Sequence, residues 1–98
     1  MFVAACQVTL YIAGSQSLKD KRQVVKSLLA RLRNQFEVAA AEVGSQDLRQ
    51  LATLGLAYVS GAGGHAEEVL ERAVRYIEES RPDVEVSDVQ VEVMMLDG

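Results

Sequence analysis

Five cationic side chains, Lys19, Lys21, Arg22, Lys26 and Arg33, stand in the stretch SLKDKRQVVKSLLARLRNQF, residues 17–36, and of all the residue types in this sequence they are the best suited to hold an anion. Ammonium and guanidinium groups repeated at helical spacing can contact a phosphate backbone through charge-assisted hydrogen bonds. Between Leu18 and Phe36 six bases accompany one acid, Asp20, a local charge of +5; the whole chain is −4, so the remainder carries −9. Local potential, not net charge, attracts a polyanion, and RNA or a ribonucleoprotein is therefore the partner class expected for this segment. Two plainer readings stay open: a solvated face balanced by acids elsewhere, and a docking edge for an acidic protein.

The remaining chemistry-bearing residues are isolated. Cys6 has no second cysteine and no base close in sequence, so it reads as an inert core thiol. His65, in GAGGHAEE, reads as a loop or cap residue, and one His with one Cys does not make a metal site. The GAGG run is turn punctuation, being neither a Walker A loop nor a dinucleotide fingerprint. Acylphosphatases share the size and fold expected below, but their arginine-bearing glycine loop before the first helix is absent, as is an asparagine in the third strand. No enzyme activity, cofactor or metal is expected.

The elements that would position the basic residues follow from periodicity. The stretch 2–13 is β-rich, with Phe2, Ala4, Cys6, Val8, Leu10 and Ile12 on one continuous apolar face. Ser17 is a candidate N-cap for a first helix over about 18–34, in which Val25, Leu28, Leu29 and Leu32 form the core stripe. At about 100° per residue, Lys19, Arg22, Lys26 and Arg33 fall within about 60° of one another beside that stripe. Lys21 falls on the stripe itself, where its stem would cover the core edge while the ammonium snorkels to water.

Strands over 36–44 and 51–62, joined by the polar SQDLRQ, read as a hairpin. A second amphipathic helix follows, burying Ala66, Val69, Leu70, Ala73, Val74 and Ile77 and exposing the i,i+4 pairs Glu68–Arg72, Glu71–Arg75 and Arg75–Glu79. Glu67 and Glu68 would suit its positive N-terminus, whereas the cations opening the first helix cost about 0.3–1 kcal/mol each unless they build an anion site with its free N–H groups. Pro82 ends the second helix, and the alternation through Val89, Val91, Val93 and Met95 marks a fourth strand. The order βαββαβ is α+β and ferredoxin-like: a four-stranded antiparallel sheet with two helices on one face, in a single domain spanning 1–98.

SLKDKRQVVKSLLARLRNQF, followed by VAAAEVG, QDL and LGLAYVS, resembles the YlxP-like family of small bacterial proteins, a family of unknown function. The resemblance runs over most of the chain. It implies a ferredoxin-like fold and a cytoplasmic role near translation, in keeping with an RNA- or ribosome-associated protein, but implies no reaction. After Asp47 and Leu48, where the family often has a tryptophan and then an arginine, this chain has Arg49 and Leu51.

Two further surfaces bear on partners. Tyr11 and Tyr58 occupy the strands that carry base-stacking aromatics in RNA-recognition motifs, although the match is partial and ordinary sheet composition also explains it. The less covered sheet face, with Val3, Ala5, Tyr11, Ala39, Ala41 and Val43, or an edge strand, would support a homodimer. A regulatory module of the ACT type also pairs such units, but no effector loop is recognisable. No apolar run reaches the length of a membrane span, the N-terminal stretch lacks a basic n-region, and the single cysteine suits a reducing compartment, so a cytoplasmic chain without a signal peptide is expected.

Overall fold

The computed structural model describes residues 1–97. Its elements are β1 (Phe2–Ile12), α1 (Leu18–Phe36), β2 (Ala39–Gly44), β3 (Leu51–Ser60), α2 (Gly63–Ser80) and β4 (Val84–Met95). The four strands form one antiparallel sheet in the order β2-β3-β1-β4, with β1 paired to both β3 and β4. This is the ferredoxin-like arrangement.

Strand periodicity decides which side of the sheet is covered. Ala4, Cys6, Val8, Leu10 and Ile12 are buried, whereas their alternates from Val3 to Tyr11 are not. Both helices lie over the buried side. Helix α1 contributes Val25, Leu28, Leu29 and Leu32, and α2 contributes the six apolar residues expected from its 3.6-residue repeat. Each fully buried Leu or Ile contributes about 1.5–3 kcal/mol through removal of apolar area from water. Helix α1 packs on β2, and α2 packs across β1, β3 and β4.

Element boundaries depart from the sequence expectation where tertiary contacts intervene. Phe36 ends α1 instead of opening a strand, because its ring packs edge-on against Tyr76 of α2 at 5.6 Å between centroids. Strand β3 stops at Ser60, and α2 starts at Gly63, where a Cβ would lie 3.0 Å from the Phe2 ring. That earlier start moves Glu67 and Glu68 into the second turn, so the first turn of α2 holds no acid, contrary to expectation. The expected i,i+4 pairs of α2 do not close to 4 Å among the described residues; the ion pairs found are Lys21–Glu42 and Arg81–Asp83.

The two ends of α1 are capped differently. At its start the Asp20 N–H donates to Ser17 Oγ at 3.1 Å, while the Asp20 carboxylate accepts from the Gln16 N–H at 3.2 Å. This variant of the S-x-x-D capping box, with the carboxylate on the N–H one residue before the cap, puts an acid at the positive helix end. At the other end Glu37 adopts φ 56° and donates its N–H to the Arg33 carbonyl. A left-handed C-terminal residue is usually glycine, because a Cβ is strained there. Glu37→Gly should therefore stabilise the protein by about 0.5–1 kcal/mol, seen as a higher urea midpoint at unchanged m-value; a lower midpoint would contradict the strain argument.

Candidate nucleic-acid interface

The basic residues of α1 separate into three environments. Lys21 is fully buried, with 0% exposure. Its Nζ donates to the carbonyls of Ser45 at 2.7 Å, Gln46 at 3.1 Å and Leu51 at 3.1 Å, and lies 3.2 Å from Glu42 Oε2. An ammonium has three N–H donors, and the three carbonyls take them. Glu42 Oε2, itself buried, keeps the charge contact without a directed hydrogen bond. The expectation of a snorkelling ammonium that assists phosphate binding is corrected: Lys21 has neither water access nor a spare donor, and it ties α1 to the β2–β3 hairpin.

Local geometry explains how that cage forms. An extra residue, Val43, bulges β2 against β3 between the pairs Glu42↔Leu54 and Gly44↔Thr53. Glu42, opposite the buried Leu54, stands on the helix side of the sheet. Ser45 then turns with φ 60°, its hydroxyl 2.9 Å from Thr53 Oγ1, and the Leu48 N–H closes the turn onto the Ser45 carbonyl.

Arg33 is exposed but partly committed. Its Nε and one terminal nitrogen both donate to the Ala40 carbonyl of β2. That contact places the whole Lys19–Arg22–Lys26–Arg33 stripe on the β2 edge of the molecule. Lys19, Arg22 and Lys26 are exposed and take part in neither ion pair found among the described residues. At the start of α1 Ser17 Oγ takes the Asp20 N–H and the Asp20 carboxylate sits on the Gln16 N–H, so a negative charge already stands beside the helix end where an anion would bind. The exposed cations lie along the flank of the helix.

Other candidates resolve into packing. Tyr58 is half-buried on the helix side, its ring edge-on to His65 at 5.7 Å, so Tyr11 is left without an aromatic companion on the open sheet face. The open face holds a depression of about 760 Å³, lined by small residues including Ala5, Ala41, Gly55 and Ala57. Among the described residues no group of three or more His, Cys, Asp or Glu side chains gathers as a metal site, and no helix is long and apolar enough to cross a membrane.

Sequence reasoning missed the Lys21 cage and the Asp20 box. Signals for both were present: two opposite charges at inward positions, Lys21 on the apolar stripe and Glu42 on the inner face of β2, and the S-x-x-D spacing itself.

Two measurements follow. Lys21→Met should cost about 3–5 kcal/mol, since it strands Glu42 and three carbonyls, whereas Glu42→Gln, at a side chain still 18% exposed, should cost less; equal stabilities by chemical denaturation would deny the cage its role. Burial pushes the Cys6 thiol up to about 11, leaving a thiolate fraction of roughly one in ten thousand at pH 7. Iodoacetamide should then label Cys6 only on unfolding, and rapid native labelling would contradict this.

Comparison with known proteins agrees with these elements. The family described as "Protein of unknown function (DUF503)" matches residues 3–91. The chain is also 40% identical over 82 residues to the "Uncharacterized protein YlxP" of Bacillus subtilis (strain 168), an alignment covering 84% of this chain and 86% of that protein. With the match spanning β1 through most of β4, the chain belongs to the DUF503 family.

Proposed function

We propose that this protein is a non-enzymatic cytoplasmic domain that binds RNA, free or within a ribonucleoprotein, through phosphate contacts from Lys19, Arg22 and Lys26. The observation that carries this reading is the exposure of these three cations on one flank of α1 without a carboxylate partner among the described residues, in a chain of net charge −4. From Lys19 to Lys26 the stripe rises about 10 Å along the helix, a length suited to successive phosphates rather than to one small anion. Arg33 adds its remaining donors at the far end. The translation-associated setting implied by the family resemblance is consistent with this partner class.

A catalytic reading lacks support from the residues that would carry it. The Lys21 ammonium is saturated, Cys6 is shielded, and His65 packs on Tyr58.

The triple substitution Lys19→Gln, Arg22→Gln and Lys26→Gln should weaken binding to a single-stranded RNA and reduce the magnitude of the log K against log salt slope by about 2, as expected for three lost phosphate contacts. Fluorescence anisotropy across a salt series checks this, with circular dichroism controlling for fold. Absence of wild-type binding to RNA or ribosomes at low salt would sink the proposal. Partners that survive nuclease treatment in a pull-down would instead favour an acidic protein surface.

A further inference from the structure

We propose that the chain forms a two-fold dimer in which β4 pairs antiparallel with β4 of a second copy, Val91 facing Val91 across the axis. This inference rests on no part of the RNA reading.

The two sheet edges differ in how they are protected. Strand β2 is six residues long, bulged at Val43, and carries the Arg33 guanidinium on its Ala40 carbonyl. Natural proteins discourage edge-to-edge pairing by such devices, as well as by lysine or proline on the edge. Strand β4 is twelve residues long, VEVSDVQVEVMM, with no lysine, arginine, proline or glycine. Its irregularity falls at Ser87, and from Asp88 to Met95 it runs in unbroken register with β1.

Side-chain burial points the same way. Val89, Val91 and Val93 lie opposite Val8, Cys6 and Ala4, hence on the helix side of the sheet. Yet they remain 39%, 44% and 38% exposed. Between α2 and β4 runs a groove of about 360 Å³, lined by Leu70, Glu71, Val74, Arg75, Val89 and Val91. A neighbouring strand carrying valines on the same face would cover this seam. The groove wall offers one acid and one base, so it does not repel a copy of itself.

Charge excludes axes on Gln90 and Glu92, and length chooses among the valines: an axis on Val89 or Val93 also avoids like charges, but Val91 lies nearest the middle of the regular stretch Asp88–Met95 and pairs the most residues. Antiparallel pairing of identical strands requires a two-fold axis perpendicular to the sheet, which keeps both helix layers on one side and pairs the axial residue with itself. With Val91 on the axis, Val89 meets Val93, Gln90 meets Glu92, and Asp88 meets Met94. Every acid in the regular stretch then faces an uncharged residue. Moving the axis to Gln90 sets Asp88 against Glu92, and moving it to Glu92 sets that residue against itself; like charges directly opposite are destabilising. The open sheet face is a poorer self-partner, since Glu85, Asp88 and Glu92 project on it from β4 without a facing base among the described residues. The result is a continuous eight-stranded sheet with the two α1 flanks at its outer ends.

Sedimentation velocity on the full chain should show a dimer at micromolar concentration. Val91→Lys should raise its dissociation constant at least about tenfold while the far-UV circular dichroism spectrum keeps its shape and the thermal midpoint falls only toward that of dilute wild-type monomer, and Ala41→Lys on the open face should leave the mass unchanged. Under a mild oxidant Val91→Cys should give a covalent dimer, since directly opposed residues lie about 4.5–5.5 Å apart at Cα, within disulfide reach. Gln90→Cys, which faces Glu92 of the second copy, should not. A wild-type monomer throughout, a dimer indifferent to Val91→Lys, or one abolished by Ala41→Lys would overturn the proposal.

Discussion

The Lys21 ammonium, enclosed in the interior and held by three carbonyl oxygens, is the interaction on which the rest of the structure depends. Removing an ammonium from water is costly, and only well-placed hydrogen bonds and an opposite charge offset that cost. Here the oxygens come from the β2–β3 connection and the first residue of β3, with Glu42 supplying the countercharge. The side chain therefore joins two parts of the chain that hydrophobic packing alone would leave free to slide. A leucine stripe accepts small rotations of a helix; an ammonium in a fixed oxygen cage does not.

That restriction reaches the surface. With Lys21 directed inward, the rotation of α1 about its own axis is set, and so is the heading of Lys19, Arg22 and Lys26. Arg33 makes a second tie on the β2 side through the Ala40 carbonyl. The basic flank is thus a rigid consequence of how the helix is fastened. The exposed side chains themselves keep their rotamer freedom; what the cage fixes is the side of the molecule from which they project.

Much of the architecture was legible because it rests on periodicity. The alternation of β1 and the 3.6-residue repeats of both helices identify the buried faces residue by residue. Boundaries were less legible, since Phe36 takes its place from a contact with Tyr76 some forty residues away. Lys21 escaped for a sharper reason. A charged residue on an apolar stripe ordinarily snorkels, and the carbonyls that prevent it here have no side-chain signature. Only Glu42, inward-facing on a short strand, hinted at a buried countercharge. The exposed stripe was legible in position from the helical wheel, but the different commitments of Lys21 and Arg33 required the geometry of the hairpin.

The Ser45 turn has a consequence for how the chain can vary. Surface connections generally tolerate insertion, because their backbone groups exchange freely between protein and water. The Ser45–Leu51 connection is constrained instead by the stations of its oxygens: lengthening it by one residue would displace acceptors that Lys21 needs at fixed distances. The turn at Gly14 holds no buried ion, although Ser15 is itself buried and its carbonyl accepts from the Gln50 side chain. Length variation should therefore be excluded from the hairpin connection, although most of its residues are exposed.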